Sequence, residues 1–267
     1  MSQTFDLTLI ENNDSLYKRT YEGLQTQFRF RASDKLDLGG NWTLSKTEGN
    51  FNAETAGSGP VTGTLASNPE YFDVRWASPK GPLSIDQRNR VNLYGVYKIF
   101  DHGSNSLSAS VLQGFYSGNP YEAVGSILIT PYVTNPGYVN PPTQVTYYFS
   151  KRGALTTPNV LRTDLSFNYD FRIGKLDLFL KPEVTNVFNS QKIDTTDPRY
   201  FDTTILTAGN AANCPGSPTG KCLPFNPFTD TPVEGVNFVK GPNFGKAINP
   251  LGFQQPRTYR FALGVRC

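Results

Sequence analysis

The sequence predicts an all-β protein, an antiparallel transmembrane β-barrel of about eight strands with short periplasmic turns and long extracellular loops. Three observations lead there. Apolar and polar residues alternate at period two over stretches of a dozen residues, most clearly in residues 160–189. Strands of soluble domains usually run ~5–6 residues, whereas a tilted strand crossing a bilayer needs ~9–11. The connections alternate too: short turns near residues 33, 103 and 174, and long segments at about 47–85, 118–158 and 190–256. Turns on one rim and long loops on the other is the pattern of an outer-membrane barrel. Finally, no apolar run approaches the ~18 residues of a transmembrane helix. Mean hydropathy is −0.40, which excludes helical spans only, because half the residues of a barrel strand are polar.

The hairpin over residues 160–189 is the clearest element. Leu161, Thr163, Leu165, Phe167, Tyr169, Phe171 and Ile173 share one face, and Arg162, Asp164, Ser166, Asn168, Asp170 and Arg172 the other. That is strand periodicity. Gly174-Lys175 fits a two-residue loop with Gly at positive φ, so paired residue numbers sum to 349. Apolar then meets apolar at Ile173/Leu176, Phe171/Leu178, Tyr169/Leu180, Phe167/Pro182, Leu165/Val184 and Leu161/Phe188. Polar meets polar at Arg172/Asp177, Asn168/Lys181, Ser166/Glu183 and Asp164/Thr185. Turn chemistry and binary pattern agree on one register. Leu165, Phe167, Tyr169, Phe171, Leu178 and Leu180 are therefore expected to face lipid, and Asp170, Arg172 and Lys181 the lumen.

Along the rest of the chain, Phe5, Leu7 and Leu9 alternate with Asp6 and Thr8 as a first short strand. In residues 18–31, Leu24, Phe28 and Phe30 oppose Gln25, Gln27, Arg29 and Arg31. Leu36, Leu38, Trp42 and Leu44 continue the apolar face. A three-residue loop at Ala32-Ser33-Asp34 gives a pair sum of 66, with Phe30/Leu36, Phe28/Leu38 and Leu24/Trp42. Val91, Leu93, Tyr97 and Ile99 mark a strand over 90–99, turning at 101–105 into Leu107, Ala109, Val111 and Phe115. The closing strand, 257–267, carries Tyr259, Phe261, Leu263, Val265 and Cys267 in phase.

Net charge is +3, too weak to argue for nucleic acid. The N-terminus has no basic n-region or apolar h-region, so no signal peptide is read there. An outer-membrane protein needs one, and the chain is therefore expected to be a fragment of a longer precursor. No GxSxG, P-loop, paired-carboxylate or CxxC…CxxC pattern occurs. The chain is expected to be no enzyme and to carry no cofactor.

Five stretches resemble one family: residues 21–50 (YEGLQTQFRFRASDKLDLGGNWTLSKTEGN), 86–99 (DQRNRVNLYGVYKI), 114–121 (GFYSGNPY), 162–189 and 256–266. In this order and spacing they are similar to the C-terminal barrel of TonB-dependent outer-membrane receptors of the Oar-like group, over nearly the whole chain. The resemblance implies the C-terminal part of a larger, twenty-two-stranded barrel, filled by an N-terminal plug and coupled to TonB through an N-terminal region that this sequence does not contain. It implies energy-coupled uptake of a ligand, residence in a Gram-negative outer membrane, and contact with outer-membrane lipid and the barrel-assembly machinery. The closing strand with Tyr259, Phe261, Leu263 and Val265 takes the place of the family's insertion strand, but it ends in Cys267 where an aromatic is usual. Two other readings are a stand-alone eight-stranded porin or adhesin, and a secreted carbohydrate-active β-sandwich.

Candidate sites are few. Cys214 and Cys222 flank PGSPTGK in the last long loop, and a disulfide is expected there over two free thiols. His102, alone in a turn, is not read as a metal ligand. Asp194, Asp197 and Asp202 lack the spacing of a calcium loop, and Asn41-Trp42-Thr43 is a sequon within a strand. Loop aromatics Tyr71, Phe72, Trp76, Tyr132, Tyr138, Tyr147, Tyr148 and Phe149 have two readings: ligand contact at the outer mouth, or a girdle and loop self-packing. Arg29, Arg31, Arg90, Arg162 and Arg172 either attract anionic solutes or pair with acidic residues.

Overall fold

The computed structural model describes residues 18–50, 68–197, 199–210 and 212–266. The chain is all-β and antiparallel. Its strands are β1 (Arg19–Arg31), β2 (Leu36–Gly49), β3 (Gly81–Pro82), β4 (Asn89–His102), β5 (Asn105–Tyr116), β6 (Pro120–Tyr121), β7 (Val124–Leu128), β8 (Gln144–Tyr148), β9 (Leu155–Thr156), β10 (Val160–Ile173), β11 (Leu176–Thr185), β12 (Ile205–Thr207), β13 (Phe238–Lys240) and β14 (Thr258–Arg266). Among the described residues one short α-helix, α1, spans Val74–Ala77. The long strands form a meander in the order β1-β2-β4-β5-β10-β11-β14, with β3 appended to β2. The sheet is open: among the described residues β1 and β14 each pair on one side only. The proposed first strand at Phe5, Leu7 and Leu9, and Cys267, lie outside the described residues.

The β10–β11 ladder runs on the 349 sum, from Ile173/Leu176 to Leu165/Val184, with Gly174 at φ 62 in the turn. It is interrupted opposite Lys181-Pro182, where Pro182 has no N–H to give, and resumes in the same register. The first hairpin corrects the expected sum of 66. Leu24 pairs with Leu44, Phe28 with Gly40 and Phe30 with Leu38, a sum of 68. The cause is local: Ser33 Oγ accepts the N–H groups of both Lys35 and Leu36 at 3.2 Å, which moves the turn centre to Asp34. The shift is even, so every side chain keeps its face. At the second hairpin β4 runs on to His102 and the turn shrinks to Gly103-Ser104, Gly103 at φ 58. A bulge between Lys98 and Phe100 makes Ile99 the extra residue. Phe100, not Ile99, then pairs with Leu107 on the apolar face, its ring 6.3 Å from Tyr169.

These registers set two unlike faces. On one, Leu24, Phe28, Leu38, Trp42, Leu93, Val111, Phe167, Leu180 and Leu263 belong to an apolar surface continuous across all seven long strands. Among the described residues nothing covers it: Phe28 is 53% exposed, Phe167 43% and Phe261 76%. The other face is mostly polar, interrupted by Tyr94, Val96, Leu112 and Phe179. Short turns close one rim, and the segments joining β2–β4, β5–β10 and β11–β14 gather at the other.

Those long segments are not plain loops, which corrects the expectation for 47–85, 118–158 and 190–256. β2 runs on through Thr47 to Gly49, where it takes up β3. Within the other two, β6 pairs with β9, β7 with β8 and β12 with β13. The hydrophobic core lies here, above the sheet rather than on it. Tyr71, Trp76, Ile127, Ile129, Val145, Tyr147 and Phe225 form one buried cluster, and Ala123, Ile205 and Phe238 a second. Buried Asp86 ties this cap to the sheet by accepting the Thr47 N–H at 2.7 Å and pairing with Arg88 at 2.9 Å.

Candidate functional site

The polar face is built by residues alternate to the apolar set. Its charges are mostly neutralised in place: Arg29 with Asp37, Arg162 with Asp164 at 2.8 Å, Arg172 with Asp177 at 2.5 Å, Lys181 with Glu183 at 2.7 Å and Lys98 with Asp101 at 3.0 Å. Three of the five arginines singled out in the sequence are thus held by carboxylates. Exposed pairs of this kind contribute ~0–1 kcal/mol each, so they organise the surface more than they stabilise it.

At the cap end of β1, β2 and β4 this face hollows into a cleft of about 650 Å³, bordered above by Ile85 and Gln87. Among the described residues its lining is almost wholly amide and hydroxyl, and Arg90 is the one charge. Asn92 holds the floor together: Tyr116 Oη donates to Asn92 Oδ1 at 2.7 Å, and Asn92 Nδ2 donates to Asn41 Oδ1 at 3.0 Å. Arg90 lies 6.0 Å from the Tyr116 ring centroid, within cation–π range. The sequon Asn41 is a member of this cleft. Period-two alternation placed Arg90, Gln25 and Gln27 on the polar face, but only cross-strand register brings them together.

The cap packs several of the loop aromatics into its core. Tyr71 is 1% exposed, Trp76 7% and Tyr147 8%. Trp76 stacks on Tyr147 at 5.5 Å and meets Phe228 edge-on at 5.8 Å. Phe72 and Tyr138 pack against the same cluster, and Phe149 joins it to the second. Tyr148 lies beneath the Arg152 guanidinium at 5.5 Å. Burial of such a side chain yields ~1.5–3 kcal/mol, and Tyr71, Trp76 and Tyr147 have little surface left to offer a ligand. Cys214 and Cys222 are joined by a disulfide, Cα–Cα 4.7 Å, and both are buried.

The remaining candidates have structural roles. Asp197 pairs with Arg199 at 2.6 Å and also accepts its backbone N–H. These bonds hold its carboxyl down at about 2. Asp202 accepts the Thr204 N–H in a turn, and burial pushes the Asp194 carboxyl up. Burial likewise raises Glu122, against the pull of the Gly153 N–H and of Arg152. Among the described residues no group of three His, Cys, Asp or Glu side chains could hold a metal. His102 stacks on Phe100 at the turn rim. Lipid-facing candidates Leu165, Phe167, Tyr169, Phe171, Leu178 and Leu180 share the apolar face with Tyr259, Phe261, Leu263 and Val265 of β14. Comparison with known proteins adds no relative, since no family model, curated protein or solved structure matches the chain.

Proposed function

We propose that this chain is the C-terminal barrel segment of a TonB-dependent outer-membrane receptor, its apolar face against lipid, its polar face toward the lumen and its cap outside the cell. One observation carries the reading: a sheet whose apolar face is continuous and uncovered, beneath a cap whose core is buried. More than a dozen large apolar side chains stand exposed on that face. At ~1 kcal/mol or more forgone for each half-exposed side chain, leaving them in water costs as much as the ~5–15 kcal/mol by which a domain is stable. A bilayer removes that cost. Every long strand has 9 residues or more, enough to span. No helix among the described residues is long and apolar enough to cross a membrane, so any crossing falls to strands.

In hydrocarbon an unpaired strand edge costs several kcal/mol per unsatisfied backbone group. The free edges of β1 and β14 therefore call for further strands, and in this reading the receptor's N-terminal part supplies them together with plug and TonB contact. The segment itself performs no covalent chemistry; it supplies wall, lumen and cap. The test is the longer receptor, expressed in a receptor-deleted Gram-negative host. TonB-dependent ligand uptake that is lost when residues 19–266 are removed supports the proposal. Recovery of the segment in the soluble fraction as a monomer without detergent refutes it.

A further inference from the structure

We propose that the cleft on the polar face of β1, β2 and β4 binds an acidic oligosaccharide, with its hydroxyls on an amide ladder and its carboxylate on Arg90. The inference rests on the receptor reading for its biological setting, and on the cleft alone for its chemistry. Register brings six side chains into two adjacent rungs on one face, Gln25–Thr43–Arg90 and Gln27–Asn41–Asn92. Neighbouring strands lie ~4.8 Å apart and alternate residues ~6.6 Å apart along a strand, so the six form a flat grid the size of a small saccharide.

The grid's hydrogen-bonding capacity is largely unspent. Among the described residues Gln25, Gln27 and Thr43 make no side-chain hydrogen bond, and Asn41 uses only its Oδ1, leaving its NH₂ free. Amides and hydroxyls offer donors and acceptors side by side, which is what a polyhydroxylated ligand requires, since each hydroxyl both gives and takes. The relay from Tyr116 through Asn92 fixes the Asn41 amide before any ligand arrives.

Charge narrows the class further. Arg29, Arg162 and Arg172 on the same face are tied to carboxylates. Among the described residues Arg90 makes no ion pair and no carboxylate lines the cleft. A guanidinium so placed is suited to a ligand carboxylate, which it can grip with two parallel N–H bonds. One cation among neutral amides fits a sparsely charged ligand; a polyanion such as nucleic acid needs several. Tyr21, 60% exposed at the cleft's edge, offers an aromatic surface to a sugar ring.

The experiment titrates the full chain, refolded in detergent micelles, with trigalacturonate and with maltotriose, following heat of binding. The expected result is saturable binding of trigalacturonate, at least about tenfold tighter than maltotriose. Arg90→Gln should bring the acidic sugar down to the neutral one's affinity, Arg90→Lys should keep part of the difference, and Gln27→Ala with Thr43→Ala should weaken both. Strand content by circular dichroism checks that each variant is folded. A folded, detergent-requiring protein that binds neither sugar, or an Arg90→Gln variant with an unchanged acidic-to-neutral ratio, overturns the site and leaves the receptor reading standing. Acidic-sugar binding by a protein soluble without detergent keeps the site and overturns that reading.

Discussion

The Phe179 ring sits over Gly264, its cross-strand partner on the polar face of β11 and β14. A Cβ at position 264 would fall inside contact distance of ring carbons Cε1 and Cζ. Tyr94 stands in the same relation to Gly39, two strands from the opposite edge. Bare backbone beneath an aromatic explains how large rings are seated on a face otherwise polar, and why the strands tolerate interior glycines. Gly264→Ala should drive the half-exposed ring off the strand and out of its rotamer, at a cost of ~0.5–1.5 kcal/mol. The urea midpoint of the refolded protein measures it, and an unchanged midpoint contradicts the packing.

The two faces should differ sharply in their tolerance of charge. Phe167 and Asn168 are adjacent in β10 but point to opposite faces. Arginine facing lipid near the bilayer midplane costs ~2–4 kcal/mol, and little in a wet lumen. Phe167→Arg should therefore impair membrane assembly far more than Asn168→Arg, as read from the fraction folded in vesicles. Equal tolerance at the two sites removes the face assignment.

The Cys214–Cys222 disulfide closes a short ring in the cap. By loop-closure entropy it contributes ~2–3 kcal/mol at most, and it lies apart from the sheet. Reduction should raise amide exchange around residues 212–223 while leaving the β10–β11 ladder protected. Loss of protection in the strands as well would show that the cap and the sheet fold as one unit.

Asp197 gives a pH signature. Its folded carboxyl stands at about 2, below the ordinary 3.8, because Arg199 bonds to it. A depressed carboxylate contributes stability that is fully present above the ordinary value and is lost as pH falls from there through the folded value. The local contribution should fade between about pH 3.8 and 2. An NMR titration of this carboxyl finds the midpoint; a midpoint near 3.8 means that the pair is not formed.

Faces were easier to read from the sequence than connections, for a physical reason. Alternation is written in single residues, so Leu165 against Ser166 suffices to assign a face. Register depends on turns: Gly174-Lys175 announced its own, whereas Ser33 altered the first hairpin through a side-chain oxygen that pattern does not reveal. The bulge at Ile99 has no signal in alternation, since Ile99 and Phe100 are both apolar. In the cap, β7 and β8 lie in Gly- and Pro-rich segments without a long period, and their order comes from packing around Trp76 and Tyr147. The cleft was legible in pieces only, because Gln25, Thr43 and Arg90 come from three strands.

Accessibility along β10 distinguishes a lipid-facing apolar surface from one turned to water. Single spin labels at residues 165–172, in a Cys267→Ser background refolded into lipid vesicles, report contact with oxygen dissolved in lipid and with a water-soluble nickel chelate. Period-two alternation is expected, with oxygen contact high at Leu165, Phe167, Tyr169 and Phe171 and chelate contact high at Ser166, Asn168, Asp170 and Arg172. Chelate access at all eight positions, or the opposite phase, rules out a lipid-facing apolar surface.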